Sequence, residues 1–256
     1  MKKTLTIIGL ALASAVGAQA QILVDNFNTY SNGNLVGQGG WVQTGTTATN
    51  PIQVSGGVVT LVQGSNQDAN RPFGSAVTTG SIYYFATINV SAKNATGDYF
   101  LHLGDGGTSA FGARLYARSA GAGYQLAWGG SSTAPTTFGA ELSFSTNYNI
   151  VFRYNIIAGA ANDTGSLYVS TGTFDSVETN NTPYQNVTTW TGGTEVSSFA
   201  AIYLRQGTNT GTETIDQVRV ATTWAQAIPE PSTWALIGLG TTVVLMGIRR
   251  RRSIKA

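Results

Sequence analysis

Ile82-Tyr83-Tyr84-Phe85-Ala86-Thr87-Ile88-Asn89-Val90 is the stretch on which the fold turns. Side chains along a strand point alternately to its two faces, so a period of two marks a half-buried strand. Here Ile82, Tyr84, Ala86, Ile88 and Val90 form one row, while Tyr83, Phe85, Thr87 and Asn89 form the other. The stretch from Asn147 to Ile157 repeats the pattern. Tyr148, Ile150, Phe152, Tyr154 and Ile156 point one way, and Asn149, Val151, Arg153 and Asn155 point the other. Two long alternating strands of this kind need partners, and the chain on either side supplies them.

Shorter strand-like runs occupy Ile22 to Phe27, Val58 to Val62, Tyr99 to Leu103, Phe111 to Ala117 and Tyr124 to Trp128. Further runs are Ser166 to Ser170, Phe199 to Leu204 and Thr214 to Val220. Turn-forming clusters separate them, such as Gly104-Asp105-Gly106-Gly107 and Asn162-Asp163-Thr164-Gly165. No segment between the two ends keeps a helical period, and no repeat or second domain boundary interrupts the body. The polar stretch Thr171 to Val196 has the weakest pattern. Ten or so short strands joined by such turns predict an all-β fold: a two-sheet antiparallel β-sandwich of the jelly-roll kind.

The two ends of the chain differ from this body. Lys2 and Lys3 precede the apolar run Leu5 to Val16, and Ala18-Gln19-Ala20 follows as a small-x-small site. That order predicts a secretory signal helix over 1–20, cleaved before Gln21. At the other end, Ile228-Pro229-Glu230-Pro231-Ser232-Thr233 leads into an uncharged segment from Trp234 to Ile248, followed by Arg249, Arg250, Arg251 and Arg252. The prolines lack backbone donors and fix φ, so the chain arrives extended. The apolar segment predicts a transmembrane helix, and the arginines predict a cytoplasmic end. The fifteen residues of this segment make roughly 22 Å of helix, short of the ~30 Å hydrocarbon core, which suits a transient anchor. The expected organisation is a signal peptide over 1–20, a sandwich over 21–226 and a sorting tail over 227–256.

The tail resembles the PEP-CTERM sorting signal of Gram-negative bacteria, on Pro229, Glu230 and Pro231, the apolar run and the arginine cluster. Ser253-Ile254-Lys255-Ala256 trailing the arginines is the one departure. The resemblance implies an exosortase-type processing enzyme as partner, transient anchoring in the inner membrane and processing near Pro-Glu-Pro. It also implies delivery to the cell surface or extracellular matrix. The body resembles the concanavalin A-like lectin/glucanase sandwich. The resemblance is carried by Asp25-Asn26-Phe27 with Gly37-Gln38-Gly39-Gly40-Trp41, by Arg153-Tyr154-Asn155 with Ser166-Leu167-Tyr168-Val169, and by Ile215-Asp216-Gln217-Val218-Arg219-Val220. That family implies carbohydrate binding on a concave sheet.

Formal net charge is +2, but seven of the fourteen basic residues lie in the two ends, and the body alone is near −4. Nothing basic clusters along it, which excludes nucleic acid as an expected partner and disfavours anionic polymers held by bulk charge. Cysteine is absent, so the core must hold without disulfides.

Chemistry is sparse. A glycoside hydrolase needs two carboxylates across a cleft, and the acids are scattered; Asp175-Ser176-Val177-Glu178 is the nearest pair in sequence. The Glu-x-Asp-x-x-Glu strand of the glucanases of this fold is missing. His102, the single histidine, has no cysteine or second histidine with which to build a zinc site. No catalytic residue and no metal ligand is assigned, and no cofactor is expected. Calcium is the one ion with hard oxygen ligands on offer, at Asp98, Asp105 and Asn162-Asp163, where turn formation explains the same residues. Asp216 is placed on the face of Val218 and Val220, paired with an arginine such as Arg153 or Arg205. Sugars dock on exposed aromatic faces, which makes Trp41, Tyr124, Trp128 and Trp190 the candidate glycan-binding residues, with core filling as the other role open to each. The sequence therefore points to a non-catalytic surface or matrix protein with weak affinity for neutral sugars in extracellular polysaccharide. A secreted carbohydrate-active enzyme on the same fold is the alternative.

Overall fold

The computed structural model describes residues 21–64, 66–130, 133–187, 194–209 and 211–230. The expected signal helix with Ala18 and Ala20, Trp190, Pro231, the apolar segment Trp234 to Ile248 and Arg249 to Arg252 lie outside these residues. Among the described residues no helix is long and apolar enough to cross a membrane.

The strands are, in chain order, β1 (Gln21–Asp25), β2 (Gly33–Asn34), β3 (Val42–Thr44), β4 (Gln53–Ser55) and β5 (Val58–Val62). There follow β6 (Asp68–Val77), β7 (Gly80–Lys93), β8 (Asp98–Gly104), β9 (Phe111–Ala120) and β10 (Gly123–Gly129). The last are β11 (Asn147–Ile156), β12 (Thr164–Ser170), β13 (Gln185–Val187), β14 (Phe199–Leu204) and β15 (Gly211–Ala221). One helical turn, α1 (Trp224–Ala227), comes after them. They form two antiparallel sheets, as the alternation predicts. The nine-stranded sheet runs β13-β12-β11-β7-β15-β5-β4-β2, with β1 also paired to β15. The six-stranded sheet runs β10-β9-β8-β14-β6-β3.

The centre of the larger sheet is the stretch that announced the fold. Ile82, Tyr84, Ala86, Ile88 and Val90 all enter the core, as do Tyr148, Ile150, Phe152 and Tyr154 of the neighbouring β11. Register sets Tyr84 opposite Phe152 and Thr87 opposite Asn149. From the other sheet Phe100, Leu101, Leu103, Leu115, Leu126, Ile202 and Leu204 complete the core. Strand β15 pairs along one edge with β7 and along the other with β5 and then β1, so three segments far apart from it in sequence meet on it. Lys93 and Glu213, at the paired ends of β7 and β15, form an ion pair with both side chains fully buried.

Two features depart from expectation. Strand β6 has no alternating pattern to announce it, because Asn70, Arg71, Pro72 and Gly74 interrupt any apolar row. Asp216 does not share a face with Val218. A bulge between Asp216 and Arg219, with Gln217 at φ 52°, resets the period, so Ile215 and Val218 both point inward while Asp216 is left half-exposed. Among the described residues Asp216 makes no ion pair; Arg153 and Arg205 bridge to Glu178 and Asp98 instead.

Candidate functional site

The predicted aromatic residues come first. Trp41 is 1% exposed, and Tyr124 and Trp128 are 0% exposed. None of the three offers a ring face to a sugar: all belong to the core. Trp41 is fixed by Asp25, whose carboxylate accepts hydrogen bonds from the indole Nε1 (2.8 Å) and the Tyr30 hydroxyl (2.6 Å) and pairs with Arg71. The Asp25-Asn26-Phe27 and Gly37–Trp41 strings are thus two halves of one structural clamp. Gly39, at φ +54°, belongs to it because a Cβ there would meet the Tyr30 ring. Trp128 packs on Phe152 with ring centroids 5.2 Å apart. A Cβ at Gly165 would come within 2.8 Å of the Trp128 ring, so that glycine admits the indole. Tyr124 stacks on Phe144 at 5.5 Å. Large aromatic side chains bury more apolar area than any others, and a sandwich this wide uses them to fill the gap between its sheets.

The acids with calcium potential are also engaged. Asp98 pairs with Arg205 at 2.8 Å. Asp105 closes its turn by accepting from Gly107 N at 2.8 Å. Asp163 accepts from the Tyr154 hydroxyl and Ile157 N, each at 2.7 Å. Glu178 is more than a solvated loop residue, because its carboxylate accepts from the Tyr83 and Tyr168 hydroxyls, each at 3.0 Å, and pairs with Arg153 at 3.1 Å.

What the sequence does not display is the outer face of the six-stranded sheet. Alternation along β9 sends Ala113, Leu115 and Ala117 inward and leaves Arg114, Tyr116 and Arg118 facing out. Bulges at both ends of Leu101 break the period of β8, so Tyr99 and His102 both join that outer face. Tyr203 of β14 lies opposite His102 in register and stacks on it, with centroids 4.7 Å apart and planes 9° from parallel. Phe111 and Tyr99 both close against His102, with centroids 4.6 and 5.2 Å from it. The Arg114 and Arg205 guanidiniums lie 4.5 and 4.2 Å from the centre of the Tyr99 ring, inside the range of cation–π attraction. Arg118 lies 3.9 Å from the Phe138 ring centre and donates to Gln125 Oε1 at 3.2 Å. Three of the seven arginines and lysines of the body therefore share one face. Among the described residues Arg114 and Arg118 have no carboxylate partner.

His102 is 2% exposed, and burial, then the charge of Arg114, hold its pKa well below 6.5. Its Nδ1 lies 3.3 Å from the Leu103 carbonyl. A carbonyl can only accept, so Nδ1 carries the proton and Nε2 keeps its lone pair. Burial, followed by the charge of Asp105, pushes the Tyr203 hydroxyl up to about 12. On this face Tyr203 (1% exposed), Tyr116 (6%) and Arg114 (7%) are buried with the neutral imidazole, and Tyr99, Arg118 and Arg205 stay half-buried. A cavity of about 340 Å³ adjoins it, lined by Phe111, Arg114 and Thr194 to Val196. A second, of about 360 Å³, lies beyond Glu195 and takes in Asp163 and Ile157.

The outer face of the larger sheet is different in kind. Polar side chains pair across its strands: Ser81 with Asn155 (2.6 Å), Thr87 with Asn149 (2.8 Å) and Asn89 with Asn147 (2.7 Å). Beside this ladder Tyr83, Phe85, Val151 and Tyr168 form an apolar patch that α1 covers with Trp224, Ala227 and Ile228.

Residues 227–252 match the PEP-CTERM protein-sorting motif, the mark of an exported protein sorted by an exosortase to the cell surface. No curated protein matches the chain. Among solved structures the body is similar to an alginate lyase in complex with an alginate trisaccharide. That match has 11% identity and a TM-score of 0.52, over 80% of this chain and 100% of the other. It is also similar to part of a sialidase, at 12% identity and a TM-score of 0.50, over 80% of this chain and 18% of that one. At these identities the likeness is one of fold: a β-sandwich of the kind found in that alginate lyase and that part of the sialidase.

Proposed function

We propose that this is an exosortase-sorted surface protein whose body binds polysaccharide, without catalysis, on the outer face of the six-stranded sheet. The observation that carries the binding reading is the convergence of Arg114, Arg118 and Arg205 with Tyr99, Tyr116 and Tyr203 on that one face. Bulk charge argues against anionic ligands, but local distribution decides what a site attracts. Guanidiniums held over aromatic rings hold carboxylates at low entropic cost. The ligand class is therefore a uronate-rich polysaccharide rather than the neutral sugars suggested by composition. The alginate-bound structural neighbour fits this reading. Affinity per site is expected near millimolar, about −4 kcal/mol, with avidity supplied by many copies in a matrix.

The test titrates the purified body against polygalacturonate and neutral dextran. Retention by the first that weakens with salt, and none by the second, is the expected result. A body that binds neither defeats the binding claim. A surface-exposed protein that still carries Arg249 to Arg252 defeats the sorting claim.

A catalytic reading has one observation in its favour: Asp163 and Glu195 line one cavity, and burial raises the Asp163 pKa. Against it, both Asp163 oxygens already serve Tyr154 and Ile157, and Glu195 accepts from Asp163 N at 2.8 Å. New reducing ends from incubated polysaccharide, lost in Glu195→Gln, would establish the enzyme.

A further inference from the structure

We infer that the folded body sets where the sorting signal is removed: the cut falls on the carboxyl side of Ile228, and the mature protein keeps Trp224–Ile228 docked on the larger sheet. This rests on the reading that the tail is cut, and it adds the position.

The motif match begins at residue 227, yet residues 227 and 228 are part of the fold. Trp224 fills the patch on the outer face of the larger sheet. It meets Tyr168 at 4.8 Å, Phe174 at 5.7 Å and Tyr83 at 6.4 Å, all edge to face. Its Nε1 donates to the Asp175 carbonyl at 2.9 Å. The turn closes with Ala227 N donating to Thr223 O (3.1 Å) and Ile228 N donating to Trp224 O (3.2 Å). Ala227 is 0% and Ile228 3% exposed. Beneath the end of the turn Arg219 donates to the Ile228 carbonyl at 3.5 Å. Ile228 itself is extended, at φ −75° and ψ 148°, and points the chain away. Exposure then returns within two residues: Pro229 is half-buried and Glu230 exposed.

A peptide-cleaving enzyme needs its substrate extended and free for several residues about the scissile bond. Bonds inside a docked helical turn meet neither condition, since reaching them requires local unfolding of the patch. Bonds after Ile228 lie outside the docked turn, so reaching them leaves the patch in place. In the cleavage the C–N bond of the scissile peptide breaks. The acyl carbon takes the oxygen of water, or the nitrogen of an acceptor amine, and the departing amine leaves with the proton. A cut before Trp224 would instead strip the patch and leave Tyr83, Phe85, Val151 and Tyr168 bare on an exported protein, an aggregation liability.

The experiment has two arms on the full chain. In the native host, mass spectrometry of the released protein should find its C-terminus at Ile228 or later; a terminus at Ala227 or earlier overturns the inference. Retention of Arg249 to Arg252 instead overturns the sorting reading. The second arm needs no sorting enzyme. Purified full chain in detergent, treated with proteinase K, should leave a resistant fragment ending at Ile228 or later. A main fragment ending before Trp224 overturns the inference. In Trp224→Ala, and in the milder Ile228→Ser, trimming into 224–228 should speed up at least tenfold. Unchanged trimming in both overturns it as well.

Discussion

The two outer faces of this sandwich are built from the same kind of strand and serve opposite ends. On the larger sheet, side chains satisfy one another through the Ser–Asn and Thr–Asn pairs, and α1 covers the apolar remainder. On the smaller sheet, cations and rings are brought together with charge left over. A surface that has spent its hydrogen bonds internally has little to offer a ligand. A surface that holds guanidiniums on rings, without carboxylates to neutralise Arg114 and Arg118, does. The contrast separates a structural face, where the chain leaves the body after Ile228, from the face proposed for recognition.

The strongest way to break that contrast is to uncover the closed face. Trp224→Ala removes a buried indole and its hydrogen bond, and should cost the body about 3 kcal/mol, read as a lower urea midpoint. A change below ~0.5 kcal/mol would mean that α1 lies on the sheet without holding to it.

The recognition face has its own signature in pH. The native state keeps His102 neutral below pH 6.5, whereas the unfolded chain takes a proton there. Stability is therefore full above pH 6.5 and falls as pH drops towards the depressed native pKa, by up to about 1.4 kcal/mol per pH unit. Urea midpoints at pH 7 and pH 5.5 measure the slope, and His102→Gln should flatten it. Burial raises the Asp68 and Asp216 carboxyls; these favour the folded state on acidification, but nearer their own lower range.

Arg118→Gln, at a half-buried guanidinium, sharpens the contrast in function. Polygalacturonate affinity should fall about fivefold, or ~1 kcal/mol, with the melting curve little changed. The smallest effect belongs to the ladder. Asn149→Ala removes the partner of Thr87 and should cost about 0.5 kcal/mol and leave polysaccharide retention intact.

The same contrast explains what the sequence discloses. The core rows of β7 and β11 are legible because alternation is uninterrupted from Ile82 to Val90 and from Tyr148 to Tyr154. The Pro-Glu-Pro and arginine cluster are legible because they are contiguous. The recognition face is neither. Its members come from β8, β9 and β14, and the bulges around Leu101 hide His102 and Tyr99 from any period-two count. Tryptophan near glycine-rich turns suggests exposed stacking platforms, but Trp41 and Trp128 are where the core needs volume, and the nearby glycines make room for them. Only the pairing of strands distant in sequence tells these cases apart.

That pairing also fixes an order of events. β15 is the last strand of the body, yet β7, β5 and β1 all pair with it, and β1 lies almost two hundred residues upstream. The larger sheet cannot close while its final strand is still crossing the membrane. Three waiting edges with free amides and carbonyls are then open to any other strand, and closure across so long a loop is slow. A protein cut short before Gly211 should therefore fail by aggregating outside the membrane, with its first strands already made and nothing to seal them.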